Sequence, residues 1–321
     1  MPSRRDRRSS ERQAKVDRAK QVGPGGGFFS RLSTDWIVAG IIIGVVVLAA
    51  TIFTVSHVFK GRGSAPQTEI NQVFSVAVSA ESPQTLYLGD VTGLYRSTNG
   101  GKTWDRFNLT DPVRKVYADP NNAKTFYAAS GTSVRKSADG GSTWVPLTSS
   151  LPSGDVTAFA LDPLDSAKMY AFVGGNGLYK SEDGGGTWTR QNSVTSAGVT
   201  SLAVKPGSPD TIYAFHTVDG FVTSIDNGRR LDGIGQGVPK NAVTDILTFA
   251  DEPEAVIAAS GRGLYKSTDD GLTWKAINAG LENVQVIAVG RNPVNGNLYV
   301  ADVQGIVYVS TNGGTSWSRN A

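Results

Sequence analysis

The sequence predicts an all-β fold, a six-bladed β-propeller of four-stranded antiparallel blades, preceded by one transmembrane α-helix. Three observations predict this arrangement. A short turn motif recurs six times at nearly equal spacing, strand-like segments recur with it in a constant order, and one long uncharged apolar stretch precedes them all. The composition agrees, because 38 of the 321 residues are Gly, which suits a chain with many tight turns.

Composition also limits the chemistry. The chain has no Cys, which excludes disulfides, thiolate metal sites and Cys nucleophiles. Residues 1–35 carry nine Lys or Arg against four Asp or Glu, whereas residues 63–321 carry 20 against 24. The large domain is therefore slightly acidic, and we expect no nucleic-acid partner for it.

Residues 36–59 form the apolar stretch, 24 residues without Lys, Arg, Asp or Glu. At about 1.5 Å per residue, such a helix is long enough to cross a hydrocarbon core of about 30 Å. A cleaved signal peptide is the alternative, but its apolar region would run only about 7–15 residues. Ala49 and Ala50 would be a weak cleavage site inside the apolar run, so an uncleaved signal anchor in the lipid bilayer is favoured.

The charges on either side of this segment predict its orientation. Nine basic residues precede it and only Lys60 and Arg62 closely follow it, so the N-terminus should stay cytoplasmic. The predicted organisation is a basic flexible cytoplasmic tail (1–35), a membrane helix (36–59), a linker (60–72) and a propeller (73–321) on the periplasmic, lumenal or extracellular side. Gly40 and Gly44 form a G-x-x-x-G pair that offers a weak contact for helix dimerisation.

The recurring motif begins with Ser, has Asn or Asp at its third position, continues with Gly and ends in Trp. Its copies start at residues 97, 137, 181, 224, 267 and 310, which are steps of 40, 44, 43, 43 and 43. The fourth copy is degenerate, with Leu231 where the others have Trp. The residues assigned a structural role in the motif are Asn99, Trp104, Asp139, Trp144, Asp183, Trp188, Asp226, Asp269, Trp274, Asn312 and Trp317.

This motif resembles the Asp-box, or BNR, repeat of sialidases, sortilin-like receptors, xyloglucanase-type glycosidases and photosystem II stability and assembly factors. The resemblance covers about residues 73–321. It implies a propeller and says much less about function, because one fold hosts many activities.

The residue types of the motif have a local physical reason. The Asn or Asp is expected to hydrogen-bond the backbone two residues on, the Gly residues to adopt positive φ, and the Trp to pack between neighbouring sheets. Asp269 and Asp270 could suggest a calcium loop, but the spaced carboxylates of such a loop are missing. His216 is the only His after the apolar stretch, so no metal or other cofactor is predicted.

Four strands are predicted in every repeat, as expected for propeller blades. In the first repeat they cover residues 73–80, 85–90, 93–99 and 104–110. The Tyr residues of the second strands are predicted to pack in the interior. Since the first and last repeats each contain all four strands, the ring should close by packing of blades one and six, without an exchanged strand.

Two loop faces follow from this topology. The motif turns share one face with the loops between first and second strands. The opposite face carries the loops between second and third strands and between blades, and the resemblance implies that this opposite face is the functional one. Its candidate binding residues are Asp90, Arg114, Lys115, His216, Asp219, Arg262 and Asp302, with Asp111, Ser130, Asp155, Lys240, Ser260 and Glu282 nearby.

Asp90 and Asp302 are the best candidates for catalysis, since they occupy matching positions in blades expected to adjoin. Two facing carboxylates can act as acid and as base or nucleophile on a glycosidic bond. The alternative is that both are ordinary turn carboxylates. A sialidase site is not predicted, because the Arg-Ile-Pro segment is missing and Arg96 and Arg135 fall on third strands.

These features predict a membrane-anchored, non-catalytic propeller that acts as a protein-interaction module, an assembly factor or an accessory subunit of a membrane protein complex. In its single-propeller size the chain resembles the photosystem II assembly factors. The rival hypothesis is a membrane-tethered glycoside hydrolase or carbohydrate-binding propeller. The short, Trp-poor loops of the candidate face favour a protein contact over a sugar cleft.

Overall fold

The computed structural model describes residues 70–119, 121–147, 150–192, 198–205, 207, 210–233 and 243–320. These residues belong to one compact unit, Pro66–Ala321. Several predicted features lie outside the described residues: the tail, the membrane helix with Gly40 and Gly44, most of the linker, and Lys240. These expectations stay predictions. Within the described residues, no helix is long and apolar enough to cross a membrane.

The described residues form six antiparallel four-stranded sheets, which confirms the predicted propeller. Blade one contains β1 (Val73–Val78), β2 (Leu86–Asp90), β3 (Gly93–Ser97) and β4 (Asp105–Arg106). Blade two contains β5 (Val113–Ala118), β6 (Phe126–Ser130), β7 (Ser133–Ser137) and β8 (Val145–Pro146). Blade three contains β9 (Val156–Leu161), β10 (Met169–Val173), β11 (Gly177–Ser181) and β12 (Thr189–Arg190). Blade four contains β13 (Val199–Lys205), β14 (Thr211–His216), β15 (Gly220–Ser224) and β16 (Asp232–Gly233). Blade five contains β17 (Val243–Thr248), β18 (Val256–Ser260), β19 (Gly263–Ser267) and β20 (Lys275–Ala276). Blade six contains β21 (Val286–Arg291), β22 (Leu298–Asp302), β23 (Val307–Ser310) and β24 (Ser318–Arg319).

The outer strands are shorter than predicted. In blade one the outer strand covers only Asp105–Arg106, whereas the sequence predicted residues 104–110. Asn108 has a φ of 44°, which turns the chain out of the ladder. The backbone then returns to β3, where the Leu94 N–H donates to the Leu109 carbonyl at 3.0 Å.

The core of the described residues contains six apolar clusters. The second strands are almost completely buried because neighbouring sheets cover both of their faces, so they read as continuous apolar runs. Tyr87, Tyr127, Tyr170, Tyr213 and Tyr299 are buried there, which confirms their predicted packing role.

Each motif Trp packs against the preceding blade, as predicted. The Trp188 indole N–H donates to the Leu147 carbonyl at 2.7 Å, and Trp317 donates to the Ile277 carbonyl at 3.0 Å. Leu231 packs on the core shared by blades three and four. The degenerate fourth motif therefore keeps the packing contact with the preceding blade through a smaller side chain.

The ring closes by packing of blades one and six, as predicted, since every described sheet contains only consecutive strands. The Asn292 amide donates to the Ser79 carbonyl at 3.3 Å, and the Trp104 indole donates to the Gly305 carbonyl at 3.2 Å. Ile70 packs on the core of this seam, and the Asn71 N–H donates to Asp90 Oδ2 at 2.9 Å. The end of the predicted linker thus supports the closure without forming a strand.

The six first strands, β1, β5, β9, β13, β17 and β21, are the inner strands, and all six begin with the same irregularity. In each strand the register with its neighbour shifts between the first and third residues. The third residues therefore occupy one level of the ring; they are Ser75, Lys115, Ala158, Ser201, Asp245 and Ala288. Only two of the six are charged.

Candidate functional site

The motif turns are closed by their own side chains. Asn99 Oδ1 accepts hydrogen bonds from the Thr103 N–H at 3.0 Å and from the Ser97 hydroxyl at 2.9 Å, and Ser97 Oγ accepts from the Gly101 N–H at 2.8 Å. The Asn bond reaches four residues ahead, so the predicted two-residue bond was wrong. Gly100 and Gly101 have φ values of 74° and 88°, as predicted.

The same bonds hold the motif carboxylates in the ionised form. Hydrogen bonds from the hydroxyl and N–H of Thr143 and from the Ser137 hydroxyl lower the pKa of Asp139 to about 2. The pKa of Asp183 is lowered by the equivalent bonds from Thr187 and Ser181. Since these bonds use the side chains within their own turns, the motif residues build the fold.

Asp90 and Asp302 also close turns. Asp90 is fully buried, and its Oδ1 accepts from the N–H groups of Thr92 at 2.6 Å and Gly93 at 2.9 Å. Asp302 Oδ1 accepts from the N–H groups of Gln304 and Ile306, both at 2.9 Å. Burial raises the pKa of Asp302, and the two N–H bonds oppose that shift. No hydrogen bond or ion pair joins the two carboxylates within the described part of the chain.

The other predicted binding-face residues are spread over several blades. His216 ends β14 and is buried, with its Nδ1 2.7 Å from Asp219 Oδ2, whereas the Asp219 side chain is 66% exposed. Arg262 is exposed in the turn after β18. Arg114 lies in strand β5, although the sequence predicted it in a loop, and its guanidinium is 5.3 Å from the centre of the Phe74 ring. Of these residues, Arg114 and Lys115 line one cavity of about 10 Å³, which has space for about one water molecule.

Lys115 lies in strand β5, although the sequence predicted it in a loop. Its ammonium forms a buried ion pair with Asp245 of β17. Blades two and five lie on opposite sides of a six-membered ring, so this pair crosses the central axis. Asp245 also accepts hydrogen bonds from the N–H groups of Val289 at 3.1 Å and Ile246 at 3.0 Å. The pair therefore joins blades two, five and six.

Electrostatics within this cluster are set by burial and mutual attraction. Burial disfavours the charged form of Lys115, but the Asp245 carboxylate and the Tyr117 hydroxyl outweigh it, so the pKa of Lys115 is raised. Burial raises the pKa of Asp245, and Lys115 opposes that shift. The pKa of Tyr117 is raised by burial, and its ring centre is 5.0 Å from Lys115 Nζ. At neutral pH Lys115 is the cation of this cluster.

Sequence reasoning missed Asp245, although a signal was present. Asp245 follows Val243 and Thr244 as Lys115 follows Val113 and Arg114, at equivalent positions of the repeat. The other four positions hold Ser or Ala. Opposite charges at equivalent positions three repeats apart would have indicated a pair across the axis.

A cavity of about 330 Å³ lies on the other side of the ion pair, toward the face with the motif turns. We call this surface the box face. The cavity is lined mainly by small or apolar residues at or just after the ends of the inner strands; they include Val76, Val78, Ala118, Leu161, Ala203, Leu247, Phe249 and Val289. Asn121, Thr248 and Arg291 add polar groups to the lining. Lys115 and Tyr117 line its inner end, and Pro163, Leu164 and Pro293 line its outer end.

The box face carries exposed apolar side chains and acidic loops, and Leu164 is the exposed apolar residue that lines the cavity in the described part of the chain. Six large apolar side chains are exposed in the described part of the chain, and four of them are in loops of the box face: Leu164, Ile225, Leu272 and Val294. The six loops between first and second strands (79–85, 119–125, 162–168, 206–210, 249–255 and 292–297) contain eight Asp or Glu and two Lys. Asp119, Asp162 and Asp210 are buried in their loops and the other five carboxylates are exposed, so the box face joins a largely apolar cavity to a surface with an excess of exposed carboxylates.

The repeats and the ring define the chain as a six-bladed Asp-box β-propeller. The family model for the BNR/Asp-box repeat matches residues 95–106, which cover the first motif. No curated protein matches the sequence at a significant level.

Solved structures with similar folds include enzymes and a peptide-binding protein. A GH74 enzyme of Niastella koreensis is 22% identical with a TM-score of 0.56, and a GH74 xyloglucanase of Xanthomonas campestris is 19% identical with a TM-score of 0.54. In both comparisons 80% of this chain covers only 46% of the other chain. The YCF48 protein bound to D1 peptide is 14% identical with a TM-score of 0.50, and 79% of this chain covers 84% of that chain. At these identities the comparisons show a shared fold.

Proposed function

We propose that this protein is a membrane-anchored, non-catalytic propeller that binds another protein, as an assembly factor or accessory subunit of a membrane protein complex. The observation that carries the proposal is the largely apolar cavity on the box face, with the exposed Leu164 side chain at its outer end. Concave sites lined mostly by apolar side chains with a few polar groups are common binding sites.

The contacts of Asp90 and Asp302 support a binding role. Each carboxylate accepts two N–H groups of its own turn through Oδ1, a contact that fixes loop backbone. The YCF48 structure supports the same proposal, because in that structure a propeller of similar length is bound to a peptide. The predicted signal anchor would hold the propeller at the membrane surface, next to membrane-embedded partners.

Purification in mild detergent of a tagged full-length chain, followed by identification of co-purifying proteins, tests this function. We expect a reproducible membrane-protein partner. Recovery of the chain alone from its native membranes would contradict a stable complex. For the orientation, protease added outside intact cells, after any outer barrier is opened, should digest the propeller; protection of residues 73–321 with exposure of the N-terminus would contradict it.

A glycoside hydrolase is the second candidate, favoured by the GH74 folds. Assay of the chain on xyloglucan and other β-glucans separates the two hypotheses. Asp90→Asn and Asp302→Asn keep the Oδ1 acceptor of each turn, and Asp90→Asn gives up the Oδ2 bond to the Asn71 N–H, so chains with an unchanged circular dichroism spectrum should keep partner binding. Hydrolysis by the natural chain that these variants abolish would establish the enzyme instead.

A further inference from the structure

We propose that the box-face cavity receives a large apolar side chain from a protein segment that carries Lys or Arg on both sides of that side chain. This inference rests on the proposed protein-binding function and assigns its surface. It places the contact on the face opposite to the one implied by the sequence resemblance.

The apolar part of the ligand follows from the walls. The cavity is about 330 Å³, and its sides are formed by Val76, Val78, Leu247, Phe249 and Val289. Most of these wall residues are already buried, so an aromatic or branched aliphatic side chain placed there would gain mainly by burying its own apolar surface and by packing against the walls. The Lys115–Asp245 pair and Tyr117 close the inner end, so the cavity accepts a side chain and stops there.

The basic part of the ligand follows from the rim. Exposed carboxylates lie on loops of three different blades; they are Glu81, Asp165, Asp251, Glu252 and Glu254. Asp251 pairs with Arg291 and Glu252 with Lys266, yet both acidic side chains remain at least half exposed. A surround of this sign attracts cationic residues and repels acidic segments and anionic lipid headgroups.

Leu164 connects the two parts. Its side chain is 59% exposed at the outer end of the cavity and is followed directly by Asp165. An incoming segment would place its apolar residue past Leu164 and its neighbouring cations over the acidic loops. A segment in extended conformation satisfies this arrangement, because alternate side chains then point into and away from the surface.

Fluorescence anisotropy of a labelled synthetic peptide on the full chain in mild detergent tests the proposal. The probe is a short peptide with a central Phe flanked on both sides by Lys, compared with peptides in which Phe becomes Ala or the Lys residues become Glu. We expect saturable binding of the first peptide and at least about tenfold weaker binding of each of the others. Equal binding of all three would overturn the proposal.

Protein variants locate the site. Ala118→Trp fills the cavity, and Leu164→Asn removes the apolar side chain at its outer end without a change of charge. Each should weaken binding about tenfold or more with an unchanged circular dichroism spectrum. Glu254→Lys should weaken binding at low salt, whereas Asp155→Lys, the same charge change on the opposite face, should not. Unchanged binding to folded Ala118→Trp and Leu164→Asn chains would overturn the assignment, and these chains in the same detergent also correct for peptide bound to micelles.

Co-purification separates this inference from the proposed function. A natural partner that is retained by both the Ala118→Trp and Leu164→Asn chains would leave the binding function standing and refute this surface. Peptide binding lost in these variants, with no partner recovered from membranes, would refute the stable complex and support the surface.

Discussion

Replacement of Lys115 by Met tests the ion pair across the axis. The Met side chain keeps most of the apolar stem of Lys and removes the charge. Asp245, whose side chain is only 2% exposed, is then left without its cation. Two backbone N–H groups, from Val289 and Ile246, still bond it.

The expected loss follows from the environment of the pair. Two unit charges in contact at about 3 Å attract each other by roughly 5 kcal/mol at an effective dielectric constant of about 20. Removal of one partner of a buried pair costs about 3–5 kcal/mol, because the other charge stays buried. We therefore expect Lys115→Met to lower the free energy of unfolding by about 3–5 kcal/mol at pH 7.

The matched control is the double variant Lys115→Met, Asp245→Asn. Asn keeps an oxygen that can accept from the Val289 N–H but carries no charge, so the double variant should recover most of the lost stability.

The loss of stability in the single variant should also depend on pH. Burial raises the pKa of Asp245 in the folded chain above its value in the unfolded chain. The loss of folding stability is therefore present above the pKa of the folded chain, and it disappears as the pH falls below the pKa of the unfolded chain.

Urea unfolding followed by Trp fluorescence measures these differences, because the motif Trp residues lie between blades. The measurements compare the three chains in mild detergent at neutral and mildly acidic pH. Equal stability of the single and double variants, or a single-variant loss that does not shrink in acid, would refute the buried pair.

Three further predictions concern the repeats. Asp139→Asn should keep the turn, since Asn99 serves the same position in blade one. Because the pKa of Asp139 is about 2, the carboxylate stabilises the fold above about pH 4 and this contribution is lost toward pH 2. In an acid titration followed by circular dichroism, the variant should therefore lose less stability than the natural chain over that interval. Trp188→Leu removes a buried ring and its bond to the Leu147 carbonyl, and should cost about 2–4 kcal/mol in urea unfolding. Asn292→Asp keeps the turn acceptor but loses the donor to the Ser79 carbonyl, and should cost about 1–3 kcal/mol and speed hydrogen exchange along β1 and β21.

Each of these outcomes has a clear contrary result. A variant at Asp139 with the same acid profile as the natural chain would show that the carboxylate adds nothing to its turn. A Trp188→Leu chain as stable as the natural one would show that the ring is not needed between blades two and three. Unchanged exchange in Asn292→Asp would show that the Asn292 amide does not contribute to holding the seam between blades one and six.

The blade count was predictable because its signals are local. Ser97, Asn99 and the two Gly residues after them close a turn by contacts within five residues, and the turn repeats with each blade. The Trp that follows needs only an apolar neighbour. Such interactions can be inferred from sequence alone, because each requires no knowledge of distant parts of the chain.

The ion pair and the cavity were not predicted because they depend on distant residues. Lys115 precedes apolar strand residues and resembles a loop cation, and only the ring brings it to Asp245. The cavity depends on side-chain size at the ends of several inner strands, where Ala118 and Ala203 leave space. Asp90 and Asp302 were predicted in the loops between second and third strands and are the last residues of the second strands. Their hydrogen bonds depend on the conformation of the loops that follow.

The ion pair has a consequence for how the propeller folds. Lys115 and Asp245 are 130 residues apart, so they meet only after blades two to five have formed and curved into a ring. A contact of such high sequence separation is expected to form after the rate-limiting step of folding. Loss of the pair should then speed unfolding and leave the refolding rate almost unchanged. The pair would therefore contribute to kinetic stability, because its strength would set the rate at which the completed ring unfolds.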